Sequence, residues 1–177
     1  MAHSSNRILS SRSVRARSLV TLICLMVFSI TFVIYTSYYL PSQVATHFNV
    51  ENEPDGWMTR NAYALLILSL LISIPSGISV GISLLCQKFS HLINLPNGDY
   101  WLAPPRLNES LDFLAAHSHR LGRLVIMLMT ALHYVLLVAN RAEPPALPQS
   151  WFMAILLGFV FALAMWVLAL YRRFSKP

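Results

Sequence analysis

Four apolar runs dominate the chain and leave it little choice of environment. They are Leu19–Leu40, Ala62–Cys86, Leu121–Val138 and Trp151–Leu170. A helix needs about 20 residues to cross a hydrocarbon core of roughly 30 Å, and each run meets or approaches that length. None alternates apolar with polar residues, which argues against a membrane barrel. Backbone groups in lipid must be satisfied inside the segment, so the runs are expected to be helices. Composition agrees. Of 177 residues, 56% are apolar and 11% are charged, whereas soluble domains carry about 25% charged residues. That much apolar surface excludes intrinsic disorder. The net charge of +6 is not the footprint of a nucleic-acid binder, because the basic residues fall in short clusters between apolar runs. The expected fold class is an all-α integral membrane protein with four transmembrane helices. Its expected partners are the lipid bilayer and no nucleic acid.

The first run follows a basic stretch with Arg7, Arg12, Arg15 and Arg17, as a secretory signal would. Its apolar length exceeds the roughly 7–15 residues of a signal's hydrophobic region, and no A-x-A site follows, so a retained helix is expected. Basic residues then set the topology. The segment before the first run and the 87–120 segment (Lys88, Arg106, Arg120) are rich in them, as is the end of the chain (Arg172, Arg173, Lys176). The loops 41–61 and 139–150 hold one each, Arg60 and Arg141. Rich and poor segments alternate, which predicts that both termini are cytoplasmic and that the two poor loops face out. The resulting division is a basic tail (1–18), a two-span unit (19–86), a cytoplasmic loop (87–120) and a second pair of spans with a basic tail (121–177). Cys24 and Cys86 fall toward the reducing side and are expected to act as small packing residues.

Within the second run, Ser69, Ser73, Gly77 and Gly81 recur every fourth position, which puts them on one helix face. Ala154, Gly158 and Ala162 form a shorter stripe in the fourth run. Small residues let helices approach closely in lipid, so both stripes are expected at helix contacts, within one chain or between chains. Pro75 interrupts the second run beside Ser76 and Gly77. It is either a packing kink or a break whose freed carbonyls serve an ion path. His133 in the third run is the ionisable group at membrane depth, which makes it a functional candidate. Its place about five residues from the outer end also suits an interfacial or packed imidazole.

The 41–61 loop is not generic linker. His47, Phe48 and Asn49 precede Pro54-Asp55-Gly56-Trp57, and the acidic residues Glu51, Glu53 and Asp55 lie among them. The cytoplasmic segment adds Asn94-Leu95-Pro96-Asn97 and Asp99-Tyr100-Trp101-Leu102-Ala103-Pro104. The loop pattern L-P…H-F-N…P-D-G-W between two apolar runs resembles the domain of unknown function at the front of SdpI-type bacteriocin-immunity membrane proteins. The N-x-P-N…D-Y-W-L-A-P stretch is similar to one that follows in many members. The likeness spans roughly residues 19–115. Asn52 stands where members often have glycine, and Ala45 and Thr46 replace a frequent proline. Larger immunity proteins continue into a second multi-helix region, so the resemblance implies architecture and a bacterial cytoplasmic membrane, and does not by itself imply an immunity activity.

Pro54-Asp55-Gly56 is turn chemistry. It is expected to reverse the chain, bring Trp57 back over Phe48 and set His47 beside Asp55. Twenty residues is long for a bare link between neighbouring helices, so the loop is expected to be ordered. Aromatic anchors with a polar rim suit recognition, which makes His47, Phe48, Asn49, Asp55 and Trp57 the candidate binding residues for a peptide or membrane-protein partner. Interfacial anchoring and helix capping account for the same residues without a ligand. The paired His or Cys ligands of a zinc site are absent from the loop, and neither a metal nor another cofactor is expected.

Past Pro104 and Pro105, the spacing of Leu107, Leu111, Leu114 and Ala115 is amphipathic and helical. A short interfacial helix turning into the third span is expected there. His117 and His119 lie near its end and point about 200° apart on a helix, which is poor geometry for a shared metal. No nucleophile–base pair or phosphate loop stands out, so no enzymatic activity is expected. Two functions remain: an immunity, sensing or envelope-stress protein with a recognition surface on the outer loop, or a small transport module using Pro75 and His133.

Overall fold

A computed structural model describes residues 2–89 and 92–176, with the side chains of residues 2–12 and Gln87 left out. The side chains of Arg7 and Arg12 in the basic tail therefore lie outside the described residues. The order is α1 (Ala2–Ser37), β1 (Gln43–Phe48), β2 (Pro54–Thr59), α2 (Arg60–Lys88), α3 (Gly98–Trp101), α4 (Pro104–Ala139) and α5 (Gln149–Phe174). Four helices are long and apolar enough to cross a membrane: Ser13–Ser37, Arg60–Cys86, Pro104–Ala139 and Gln149–Phe174. The protein is a multi-pass integral membrane protein.

Three boundaries differ from expectation for local reasons. The first apolar run ends as helix at Ser37, short of Leu40. Tyr39 N–H and Leu40 N–H donate to the carbonyls of Thr36 and Ser37, a tightened last turn ahead of Pro41. The 41–61 loop contributes two paired strands, so the fold is not purely helical. The amphipathic stretch after Pro104 is helical, but it is not a separate interfacial helix. It runs unbroken into the third span because no residue between Arg106 and Leu121 is a glycine or proline. Its start suits proline at the first helical position, where no amide donor is needed.

Helix α4 is the hub, packing against α1, α2 and α5. One cluster joins Leu22 and Val33 of α1, Leu71 of α2 and Ile126 of α4. A second, at the hairpin end, joins Leu40, Val44, Tyr63 and Leu137. The three helices crowd together at Gly122. A Cβ there would lie 2.8 Å from Ser79 Oγ, 3.1 Å from Leu22 Cδ1 and 3.4 Å from the Pro75 carbonyl oxygen. Helix α2 therefore meets its neighbours along Tyr63, Leu71, Pro75, Ser79 and Ser83, all buried. It remains helical straight through Pro75, so the broken-helix geometry of an ion path is absent.

The small-residue stripes lie elsewhere. Ser69, Ser73 and Gly77 are exposed and Gly81 is half-buried, and a Cβ on either glycine would meet nothing within 4 Å. This face of α2 points away from the bundle, and the contact expected there is not made inside the chain. On α5, Ala154 and Gly158 are exposed. Gly158 and Ala162 border a shallow gap of about 190 Å³ that faces Leu124, Leu128 and Ala131 of α4.

The end of the bundle away from the hairpin is closed by the Asn94–Pro104 segment. Asn97 Nδ2 and Trp101 Nε1 both donate to the Phe174 carbonyl, at 3.0 and 3.2 Å. They cap one of the carbonyls that the last turn of α5 leaves unpaired. Arg173 lies over the Trp101 ring at 4.1 Å and pairs with Glu109 at 2.9 Å. Asn97 and Trp101 thus act as a clasp on the C-terminal turn of α5. His117 stacks on Trp166 at 4.4 Å and donates to its carbonyl through Nε2, while Trp166 Nε1 returns a bond to the His117 carbonyl. His119, also buried, belongs to the same turn but makes none of these contacts.

Candidate functional site

The loop between α1 and α2 is an antiparallel hairpin in which Gln43 pairs with Thr59, Val44 with Met58, Ala45 with Trp57, His47 with Gly56 and Phe48 with Pro54. Its reversal differs from expectation. Pro54, Asp55 and Gly56 lie in β2, and the turn is made earlier, by Asn49–Glu53. Asn49 N–H donates to the Glu53 carbonyl at 2.9 Å, and Glu53 N–H donates to Asn49 Oδ1 at 2.8 Å. Asn52 supplies the left-handed residue of the turn, with φ of 66°. Asparagine tolerates that conformation better than other non-glycine residues. Gly56 answers a different demand. Its strand partner His47 comes so close that a Cβ at position 56 would lie 2.8 Å from His47 Cβ.

That close approach assembles the exposed face. The register shifts on either side of His47, leaving Thr46 and Asp55 unpaired, and along β2 Asp55 and Trp57 are exposed in alternation with half-buried Gly56 and Met58. His47 Nδ1 meets Asp55 Oδ1 at 2.5 Å from the opposing strand. Trp57 remains 49% exposed and Val50, at the tip, 91% exposed. The structure thus pairs His47 with Asp55 and leaves Trp57 exposed two residues further along β2. It leaves out the other two candidates: Phe48 is half-buried opposite Pro54, and Asn49 spends its carboxamide inside the turn. Trp57 does not fold back over Phe48, because the register sets it opposite Ala45.

Beneath this face lies a layer in which polar groups satisfy one another. Asn140, the C-cap of α4, accepts from Ala45 N–H at 2.7 Å and donates to the Ala45 carbonyl at 2.9 Å. Asn52 makes the same two-way bond with Leu147, at 3.0 and 3.1 Å. The hairpin is therefore lashed to the end of α4 and to the loop before α5 through two carboxamides. Sequence reasoning gave neither a partner, since an isolated asparagine carries no signal of one 95 residues away.

Deeper still, His133 of α4 is 1% exposed. Its Nε2 lies 2.7 Å from Thr36 Oγ1 of α1, and its Nδ1 lies 2.8 Å from the Tyr63 hydroxyl of α2. The Thr36 hydroxyl proton is committed to the Phe32 carbonyl at 2.7 Å. With the Thr36 proton so placed, Nε2–H is assigned as donor to Thr36 and Nδ1 as acceptor from Tyr63. One neutral tautomer satisfies the whole chain of bonds. Phe32 packs edge-on and Tyr63 face-on against the imidazole. The residues next to this triad, Tyr35 and Tyr134, are exposed, as are Tyr38, Tyr39 and Trp151. Such a ring of tyrosine and tryptophan is the signature of a membrane–water interface. His133 therefore ties three helices together at interfacial height rather than at the bilayer centre.

Among the described residues, no group of three or more His, Cys, Asp or Glu is arranged to hold a metal ion. No curated protein and no solved structure matches the chain. Residues 22–72 match the family model of a domain of unknown function, DUF1648, and that stretch holds the C-terminal part of α1, the whole hairpin and the N-terminal part of α2.

Proposed function

We propose that this membrane protein acts by recognition at the hairpin rather than by catalysis, taking a cationic peptide or the basic segment of a membrane-protein partner on the face built from His47, Asp55 and Trp57. The observation that carries the reading is the division of polar groups. Asn52 and Asn140 beneath the hairpin bond to backbone and Thr36, Tyr63 and His133 to one another, away from solvent, whereas the His47–Asp55 pair and Trp57 are exposed. The charge of the loop sets the partner's sign. Glu51, Glu53 and Asp55 stand on a chain that is otherwise basic overall. Trp57 supplies an aromatic anchor inside that acidic rim. By the alternation of basic segments the hairpin faces the outer side of its membrane, and the resemblance to SdpI-type proteins implies a bacterial cytoplasmic membrane, where an immunity, sensing or envelope-stress role has its ligand. The transport reading has less support, since α2 is unbroken at Pro75 and both ring nitrogens of His133 are engaged.

The test is selection of cationic peptides on the full chain in lipid nanodiscs. Peptides that bind it should lose about tenfold or more in affinity when His47, Asp55 and Trp57 are replaced together by alanine, as expected for loss of a central aromatic anchor with its polar partners. Selected binders that hold equally well to the triple variant would remove the reading.

A further inference from the structure

Between the hairpin end of α1 and the first turns of α2 is an open crevice of about 230 Å³. Its polar rim is Arg60, Asn61 and Tyr38, and its floor is Ile34, Ala64 and Leu68. Arg60 is held in place: its Nη1 donates to the carbonyls of Tyr38 and Leu40, at 3.2 and 3.1 Å. Its Nε and Nη2 have no hydrogen-bond partner among the described residues, and no carboxylate there forms an ion pair with it. The residue opens α2, whose first turn contains no acidic side chain, so the positive end of the helix dipole adds to the cation. In the wall of the crevice Ser37 is buried with its hydroxyl unpartnered. The crevice lies at the height of the exposed Tyr35, Tyr38 and Tyr39, where headgroups meet hydrocarbon.

We infer that this crevice binds an anionic phospholipid of the leaflet at the hairpin end, with the phosphate on Arg60 and the start of α2 and an acyl chain over Ile34, Ala64 and Leu68. Three features of the crevice specify that ligand. A planar guanidinium with an uncommitted edge matches phosphate oxygens in pairs. A free phosphate has no use for an apolar floor. A zwitterionic headgroup brings its own cation toward Arg60, so a net negative lipid is preferred. The site is separate from the His47–Asp55–Trp57 face, and the lipid would steady the α1–α2 junction on which the hairpin stands.

The full chain is assembled in nanodiscs of phosphatidylcholine mixed equally with phosphatidylglycerol, then released and weighed intact to count the lipids it keeps. Phosphatidylglycerol should be retained about tenfold over phosphatidylcholine, the scale of one charge-assisted pair, and Arg60→Gln should abolish the preference. Equal retention of the two lipids by the unaltered chain overturns the proposal, as does a preference that survives Arg60→Gln. If Arg60→Gln does not fold, having lost its ties to Tyr38 and Leu40, Ala64→Phe carries the test. It fills the floor and leaves the cation in place, so loss of the preference is again expected and its persistence is contradictory. Inorganic phosphate added to the detergent-solubilised chain should not raise its thermal midpoint. A rise as large as that given by phosphatidylglycerol would make the crevice a site for the free anion and overturn the lipid assignment.

Discussion

The hairpin end of the molecule holds two polar layers that use their hydrogen-bonding capacity in opposite ways. In the lower layer, Thr36, Tyr63 and His133 bond in a chain, and Asn52 and Asn140 each clamp a backbone segment with both ends of the carboxamide. In the upper layer, His47 and Asp55 pair in the open beside a half-exposed tryptophan. A buried polar group left without its partner costs about 1–3 kcal/mol, whereas an exposed ion pair contributes about 0–1 kcal/mol. The lower layer is therefore constrained by stability, and the upper one much less so. A histidine at membrane depth draws attention first, yet here the buried histidine ties three helices together and the exposed one pairs with Asp55 in the open.

That contrast fails if substitutions in the two layers cost alike. The largest expected loss is for His133→Leu. It strands the Tyr63 hydroxyl and removes the link between three helices, for about 2–3 kcal/mol, read as thermal unfolding in detergent. A variant as stable as the parent would mean that the triad holds nothing together. Next comes Gly122→Leu, which forces a side chain against Ser79, Leu22 and Pro75 and should cost about 1–3 kcal/mol by overpacking. Its partner measurement is Gly77→Leu on the outward stripe, which should be nearly neutral in the isolated chain. A loss at Gly77 as large as at Gly122 would show that the stripe is covered by something the single chain does not contain. Asn140→Ala should cost about 1–2 kcal/mol by freeing the Ala45 backbone, and hydrogen exchange should quicken across residues 43–59. Protection that stays unchanged would leave the hairpin held by other means. The smallest effect belongs to Asp55→Asn, no more than about 1 kcal/mol for an exposed pair. A larger loss would move His47 and Asp55 into the structural layer.

How far the sequence anticipates this arrangement depends on whether the information is local. The four helices follow from length and hydropathy alone, because the bilayer makes the same demand on every span. The hairpin's order follows from apolar side chains in a loop too long to be left wet. Its turn was misplaced because Pro54-Asp55-Gly56 has the residue types of a turn, while the deciding features are elsewhere. They are the Asn49 carboxamide closing on Glu53 N–H, the left-handed backbone at Asn52, and the crowding of Gly56 by His47. On α2 two faces share the same four-residue spacing, Ser69–Ser73–Gly77–Gly81 and Tyr63–Ile67–Leu71–Pro75–Ser79, and only the position of α4 selects the second. His133 meets partners 97 and 70 residues away. No spacing rule links such residues, so its role became visible only with the helices packed.

The most direct measurement sets affinity and stability side by side on one pair of variants. A peptide selected on the parent chain is titrated against a variant carrying His47→Ala, Asp55→Asn and Trp57→Ala, and against Tyr63→Phe, which removes only the hydroxyl that donates to His133. The upper-layer variant should lose about tenfold or more in affinity while its thermal midpoint stays close to that of the parent. Tyr63→Phe should do the reverse, losing stability and keeping affinity below its midpoint. If the upper-layer variant binds as the parent does, or loses affinity only in step with its stability, the exposed face is not the recognition site and the division between the layers is contradicted.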